Sequence, residues 1–91
     1  MTTIYTLLNT ISYHNADFTL KTSTTYAVGA FATKETVKAE LLNKLNSYTH
    51  RLEENKYNRI KLTDKSLTIT IYNTDDTYTE YKYTYTDLEL Q

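Results

Sequence analysis

The fold is decided by residues 67–86, which read LTITIYNTDDTYTEYKYTYT. Apolar and polar residues alternate on both sides of a polar centre, and a two-residue period is typical of a half-buried β-strand. The centre, residues 73–77, combines Asn and Asp with Thr, and these short polar side chains favour turns. The segment therefore predicts a β-hairpin formed by residues 67–72 and 78–86.

The pairing register of this hairpin follows from its two faces, because a slip of one residue exchanges buried and exposed side chains. Pairing Tyr72 with Tyr78 places Ile69 opposite Tyr81, whereas the next register would place Glu80 opposite Ile69 in the core. The first register is therefore predicted. Its core face consists of Leu67, Ile69, Ile71, Tyr81, Tyr83 and Tyr85. Its outer face consists of Thr68, Thr70, Tyr72, Tyr78, Glu80, Lys82 and Thr84.

Two further β segments precede the hairpin in the chain. Residues 2–11 are rich in β-branched and aromatic residues and predict a strand. Residues 12–17 are polar and predict a loop with His14 and Asn15 at its tip. A second strand region follows, weak at residues 18–21 and firmer at residues 24–32. It contains the chain's single glycine, Gly29, which predicts a bulge or a close backbone approach to the helix above.

One amphipathic helix is predicted between the two β regions. Thr33 is a suitable N-cap, and Glu35 places a negative charge at the positive end of the helix. The helix is expected to run for about twenty residues and to end near Asn55. Its apolar stripe consists of Val37, Leu41, Leu45, Tyr48 and Leu52, widened by Leu42. Residues 60–62 predict a short strand or a lead-in, and residues 63–66 a turn.

These elements predict one α+β domain over residues 1–91. An antiparallel-dominated sheet of four to five strands, in the order ββαββ, carries the long helix on one face. The other face of the sheet is expected to meet solvent. At 91 residues, one helical layer on one sheet is the natural size of the core.

Composition narrows the location and the chemistry. The chain has no Cys, which excludes disulfides, thiolate nucleophiles and sulfur-ligated zinc. No apolar run is long enough to span a bilayer, and the N-terminus does not read as a signal peptide. We therefore expect a cytoplasmic protein without membrane contact. Ten Tyr, two Phe and no Trp mean that most aromatic rings carry a hydroxyl.

Nothing in the sequence predicts catalysis. His14 and His50 are the only imidazoles, and neither is spaced with other ligands or with a nucleophile as an active site requires, so both are expected to be solvated surface residues. Asp75 and Asp76 lack the twelve-residue spacing and the glycine of a calcium loop, and turn chemistry explains them. We expect no enzyme activity, no metal and no cofactor.

Charge is distributed unevenly along the chain. Residues 34–65 are mildly basic, and the last third is acidic. The basic residues are Lys34, Lys38, Lys44, Arg51, Lys56, Arg59, Lys61 and Lys65. These cations on the helix and linker make a nucleic-acid-binding accessory protein an alternative. Two Arg in the whole chain and the interleaved acids argue against it, because nucleic-acid binders carry a stronger basic footprint.

The outer face of the hairpin is the surface that best predicts a binding site. Tyr supplies stiff contact area with a polar tip, as protein-binding surfaces require, although Thr and Tyr also favour any half-exposed strand. The predicted protein-binding residues are Thr70, Tyr72, Asp75, Asp76, Tyr78, Glu80 and Lys82. The flanking acids would steer this surface towards a basic partner. They are Asp75, Asp76, Glu80, Asp87 and Glu89.

Residues 26–41, YAVGAFATKETVKAEL, resemble a strand-to-helix junction of small phage and bacterial proteins, in which Gly-x-Phe runs through a Ser/Thr cap into a Lys/Glu-rich helix. With its size and Thr/Tyr/Asn/Lys-rich composition, the chain resembles phage-encoded accessory proteins, a group that includes anti-CRISPR and other anti-defence inhibitors. The resemblance implies a stoichiometric inhibitor of a host defence protein, some of which have basic grooves, acting in the host cytoplasm. A homo-oligomer and a nucleotide-signal sponge are further alternatives.

Overall fold

A computed structural model describes residues 2–90 and shows an α+β fold with a five-stranded antiparallel sheet. The elements are β1 (Thr2–His14), β2 (Leu20–Phe31), helix α1 (Lys34–Tyr48), a 3₁₀-helix (Thr49–Glu53), β3 (Arg59–Leu62), β4 (Ser66–Tyr72) and β5 (Tyr78–Leu90). In the sheet the order is β2-β1-β5-β4-β3. The expected α+β class and antiparallel sheet are confirmed. The predicted order ββαββ lacks one strand of the observed order ββαβββ, because residues 59–62 form a strand.

The predicted hairpin register is confirmed. Tyr72 pairs with Tyr78, Ile69 with Tyr81, and Leu67 with Tyr83. On the core face Leu67, Ile69 and Ile71 are all buried, as alternation requires. The turn predicted at residues 63–66 also forms, with the Thr63 amide donating to the Ser66 carbonyl at 2.8 Å.

The loop predicted at residues 12–17 is wrong at its start. β1 continues through residues 12–14, and Ser12 and Tyr13 pair with both β2 and β5. These residues resemble a loop in the sequence because Ser12 and His14 are polar. They lie on the face of the sheet turned away from α1, whereas Ile11 and Tyr13 lie on the face that carries α1. The connecting loop is residues 15–19, and β2 then begins at Leu20.

The bulge expected near Gly29 is present. Leu7 pairs with Gly29 and Leu8 with Ala27, which leaves Val28 as the extra residue. The expected close approach to the helix is wrong, since the nearest atom to a Cβ built on Gly29 belongs to the Phe31 ring, at 3.5 Å. A second register shift lies at the other end of β2, where Lys21 has no partner between Tyr13 and His14.

Helix α1 starts where predicted. The Thr36 amide donates to the Thr33 hydroxyl at 3.2 Å, which caps the first turn. The regular helix ends at Tyr48, and the last stretch tightens into the 3₁₀-helix. Near this junction the hydroxyls of Ser47 and Thr49 donate to backbone carbonyls three residues earlier, and such bonds favour the tighter turn.

The core lies between α1 and the sheet. Its buried residues are Leu7, Val37, Leu41, Leu67, Ile69, Ile71, Tyr83 and Tyr85. Leu45 and Tyr48 pack against its rim, whereas Leu42 and Leu52 are exposed, so the apolar stripe is narrower than predicted. Burial raises the pKa of the Tyr83 hydroxyl, and a hydrogen bond with Tyr48 adds to the effect. No helix within residues 2–90 is long and apolar enough to cross a membrane.

Candidate protein-binding surface

The face of the sheet turned away from α1 is called the outer face, and no element of residues 2–90 packs over it. Alternation places on it the even-numbered residues of β1, β4 and β5, together with Arg59 and Lys61 of β3. Of the seven predicted binding residues, the structure brings Thr70, Tyr72, Tyr78, Glu80 and Lys82 together on this face. Asp75 and Asp76 lie in the adjoining loop.

Four aromatic side chains form a row across the loop end of the outer face. The His14 and Tyr78 rings stack at 4.4 Å with planes 6° apart, and Tyr78 stacks on Tyr72 at 4.9 Å. Tyr57 extends the row beyond Tyr72, with 5.8 Å between ring centroids. We call His14, Tyr78, Tyr72 and Tyr57 the aromatic row. Its first three members are direct cross-strand partners, so the register of β1, β5 and β4 sets their contacts.

His14 is not the solvated loop residue expected from sequence. It is the last residue of β1, half-buried, with its ring covered on one face by Tyr78. Within residues 2–90, its buried Nδ1 has no hydrogen-bond partner. Burial in the row also raises the pKa of the Tyr78 hydroxyl, with smaller contributions from Tyr72 and Glu80. The row is therefore a packed structure and not a set of independent side chains.

A buried asparagine positions the end of the row. Asn58 is 8% exposed, and its Nδ2 donates to the Arg51 carbonyl at 2.6 Å. Its Oδ1 accepts from the Tyr72 amide at 2.7 Å. Asn58 thereby ties the end of the helical segment to β4. Because Tyr57 and Arg59 are its chain neighbours, this tie places both of them beside Tyr72.

Two loops of identical design lie at the same end of the sheet. Residues 15–19 read NADFT and residues 73–77 read NTDDT, which is one Asn-x-Asp-x-Thr motif used twice. In each loop the Asn amide donates to the Thr carbonyl, at 2.9 and 2.8 Å. In each the Asn side chain donates to the Thr hydroxyl, at 3.0 Å. Sequence reasoning found no internal repeat, because the motif is short and its two copies are far apart.

The aspartates at the third position stabilise their own loops. Asp75 accepts from the backbone amide and the hydroxyl of Thr77, and Asp17 accepts in the same way from Thr19. These bonds hold the pKa of both carboxyls below the usual value. The expected turn role of Asp75 is confirmed. Both bonds engage Oδ1 of Asp75 within the loop.

The fourth position of each loop has a left-handed backbone, with φ of 70° at Phe18 and 68° at Asp76. Gly, Asn and Asp tolerate this region, whereas a bulky side chain there is an outlier. Phe18 is also 71% exposed, and its ring lies 6.1 Å from that of Tyr78. The fold therefore holds a large apolar ring in solvent at a position that costs backbone strain.

A cavity of about 400 Å³ lies between the two loops and the end of the aromatic row. It is lined by Ala16, Phe18, Tyr57, Arg59, Tyr72 and Asp76. Neither Arg59 nor Asp76 forms an ion pair with another residue in the 2–90 range. An aromatic wall with one free guanidinium and one free carboxylate is suited to hold a side chain of a partner protein.

The acidic rim expected around the hairpin is wrong as a single feature. Asp76 and Glu80 lie near the aromatic row, but Asp87 and Glu89 pair with Tyr5 and Thr3 at the far end of β5. Odd-numbered residues of β5 also point to the side that carries α1, away from Glu80. Along β5, Asp87 lies about 23 Å from Glu80 and on the opposite face of the sheet, so these acids do not form one continuous rim.

Several of the cations considered for nucleic acid pair with acidic side chains. Lys38 pairs with Asp64 at 2.7 Å, and Arg51 Nε donates to Glu54 at 2.7 Å. Lys44 lies 3.6 Å from Glu40. Arg59 and Lys61, by contrast, lie on the outer face. Three of the eight cations are therefore paired with neighbouring acids.

Sequence reasoning missed His14, Phe18, Tyr57 and Arg59 as members of this surface. The second Asn-x-Asp-x-Thr copy could have pointed to Phe18, since it aligns Phe18 with Asp76 at a turn position. No local signal places Tyr57 and Arg59 beside Tyr72. The Tyr57–Tyr72 contact spans fifteen residues of sequence and lies next to the Asn58 bond, and Arg59 is placed by the pairing of β3 with β4.

Among residues 2–90, no three His, Asp or Glu side chains are grouped closely enough to hold a metal ion. No protein-family model matches the chain, and neither a curated protein nor a solved structure matches it.

Proposed function

We propose that this chain is a non-catalytic protein-binding protein whose contact surface is the loop end of the outer face. The surface consists of the aromatic row, Phe18, and the cavity flanked by Arg59 and Asp76. Exposed Phe18 in a left-handed backbone carries the proposal. Its backbone strain opposes folding and its exposed ring gains little from folding, whereas contact with a partner would bury the ring and compensate for the strain.

The geometry of the row favours a protein over nucleic acid. Bases stack on ring faces, but the Tyr78 ring is sandwiched between His14 and Tyr72. What the stacked rings offer outwards is their edges, with hydroxyls that suit backbone and side-chain hydrogen bonds. Asp76 and Glu80 would repel phosphates and attract a basic side chain of a partner.

Stoichiometric inhibition of a host defence protein is the form of binding that the resemblance to phage accessory proteins implies. A rigid, small domain fits such a role, because the cross-strand stacking fixes the contact side chains before binding and reduces the entropy lost. A partner with a basic groove could place one cation against Asp76 and an apolar side chain beside Phe18.

The test is an affinity capture from host lysate with quantitative comparison of variants. Tyr72→Ala and Phe18→Ala should each lower the yield of the specific partner by roughly tenfold or more, as expected for aromatic interface anchors. Tyr13→Ala is the matched control, because Tyr13 is 44% exposed at the same end of β1 but on the opposite face. Equal capture by all three variants would remove the proposed surface.

A further inference from the structure

The two edges of the sheet are protected very differently. β3 forms one edge with only four residues, and it carries Arg59 and Lys61. Short, charged edges resist pairing with another chain. β2 forms the other edge with twelve residues and has no proline. Every second residue of such an edge directs its N–H and C=O groups away from the sheet, so β2 is open to a further strand.

The open part of β2 is a defined segment. The register shifts at Lys21 and Val28 interrupt the ladder at its two ends, and residues 22–27 between them pair regularly with β1. These residues read TSTTYA, carry no charge and are all exposed. α1 does not cover them, since it packs over the more buried stretch around Val28 and Phe31.

We propose that a second copy of this chain pairs antiparallel with residues 22–27 to form a symmetric dimer. Residues that face each other in an antiparallel pair point to the same side of the sheet, so the twofold axis has to pass through a residue. Placed at Thr24, the axis sets Thr22 opposite the partner's Tyr26. The pairing joins the two five-stranded sheets into one ten-stranded sheet.

Charge favours this partner and limits the assembly to two. The segment is self-complementary because no like charges meet across the axis. An open filament would require β2 to pair with β3, whose Arg59 and Lys61 oppose that contact. In a symmetric dimer the β2 edges of the two copies pair with each other, and only the two β3 edges remain unpaired.

The dimer should be weak. Pairing covers Tyr26, which is 47% exposed, on the side of the sheet that carries α1. With the axis at Thr24, residues 22–26 of each copy pair with each other, and such a short pairing buries less than the roughly 800 Å² per partner of a standard stable interface, so a dissociation constant in the micromolar range is expected. The β2 edge lies outside the aromatic row, and the dimer therefore does not depend on the proposed function.

Analytical ultracentrifugation of the full chain across micromolar concentrations tests the proposal. The wild-type protein should shift from 10.7 kDa to twice that mass as concentration rises. Thr24→Lys places two like charges across the axis and should raise the dissociation constant about tenfold. The control Thr86→Lys makes the same change at an exposed position of β5 and should leave it unchanged.

Circular dichroism establishes that both variants remain folded, and the edge can also be probed by hydrogen exchange. Amides of residues 22–27 should become more protected at high concentration in the wild-type protein. A strictly monomeric wild type, a mass above two copies, or equal dimerisation by Thr24→Lys and wild type would each overturn the proposal.

Discussion

The two hairpin loops, residues 15–19 and 73–77, share a motif and a hydrogen-bond pattern and differ most in the residue held at positive φ. In the second loop this residue is Asp76, which tolerates the left-handed region, and in the first it is Phe18, which does not. The comparison separates two kinds of requirement. Asn, Asp and Thr are needed for the shape of the loop, whereas the ring at position 18 takes part in none of the loop's hydrogen bonds, and the proposed binding role would account for it.

The loop at residues 73–77 also has a stabilising contact at its start, because the Tyr72 amide at the end of β4 donates to Asn58 Oδ1. Asn58→Ala removes two hydrogen bonds, one of them to a part-buried backbone amide. It should lower the free energy of unfolding by about 2–3 kcal/mol in urea denaturation. Asn43→Ala on the exposed surface of α1 is the matched control and should change stability by less than about 0.5 kcal/mol.

Hydrogen exchange then shows whether the support is local. In Asn58→Ala the Tyr72 amide should exchange faster, while the Asn15 amide, which donates to Thr19 in the first loop, keeps its relative protection. A uniform loss of protection in both loops would mean that Asn58 stabilises the whole domain and does not specifically support the Tyr57 end of the aromatic row.

The difference at positive φ predicts a gain of stability in one loop only. Phe18→Asn replaces a strained aromatic residue by one that accepts the conformation and should stabilise the protein by about 1 kcal/mol. Asp76→Asn makes the matched change in the other loop and should have an effect of less than about 0.5 kcal/mol. Urea denaturation of both variants provides the measurement.

The same Phe18→Asn protein should bind its partner less well in the capture experiment although it is more stable. Higher stability together with weaker partner binding is expected when a residue is retained for binding and not for stability. If Phe18→Asn instead destabilises the fold, the Phe18 ring contributes more through Tyr78 than its exposure suggests, and the comparison between the loops fails.

Features of the fold that depend on interactions between residues close in sequence were predictable, and those that depend on distant residues were not. The register of β4 and β5 follows from alternation alone, because only one pairing keeps Glu80 out of the core. Thr33 was predictable as a cap for a similar local reason. The end of β1 was not, since its polar outer-face residues are indistinguishable from a loop until β2 and β5 are placed on either side.

Only the hairpin part of the candidate surface was predictable from the sequence. Tyr72, Tyr78 and Glu80 share a strand face, which the sequence period reveals. His14 joins them through β1–β5 pairing, and Tyr57 joins through Asn58, and both depend on contacts that no local pattern encodes. Asp87 and Glu89 were assigned to the surface because they are near in sequence, but a long strand carries them away from it.

A smaller effect, on the pH dependence of stability, tests the hydrogen-bonded aspartate that the two loops share. Because hydrogen bonds hold the folded-state pKa of Asp17 and Asp75 below the ordinary value of 3.8, their contribution to stability is present above that pH and is lost as pH falls through the folded pKa. The Asp17→Asn, Asp75→Asn double variant should therefore lose less Tm than wild type on acidification below about pH 4.

Thermal unfolding followed by circular dichroism at a series of pH values gives this comparison. Each single variant should remove a similar part of the acid dependence, since the two carboxylates make the same bonds. Asp87→Asn is the control for loss of charge, because the hydrogen bonds found among residues 2–90 do not include its side chain. A control that flattened the profile as much as the double variant would assign the effect to net charge.

The proposed contact surface is tested most directly by site-specific photo-crosslinking in cells that contain the captured partner. The photoreactive amino acid p-benzoylphenylalanine replaces Phe18, Tyr57 or Tyr13, one position at a time. We predict covalent adducts of the same partner protein from positions 18 and 57 and none from position 13, which is exposed on the opposite face of the sheet. Adducts from position 13 alone, or equally from all three positions, would contradict the assignment of the loop end of the outer face as the binding surface.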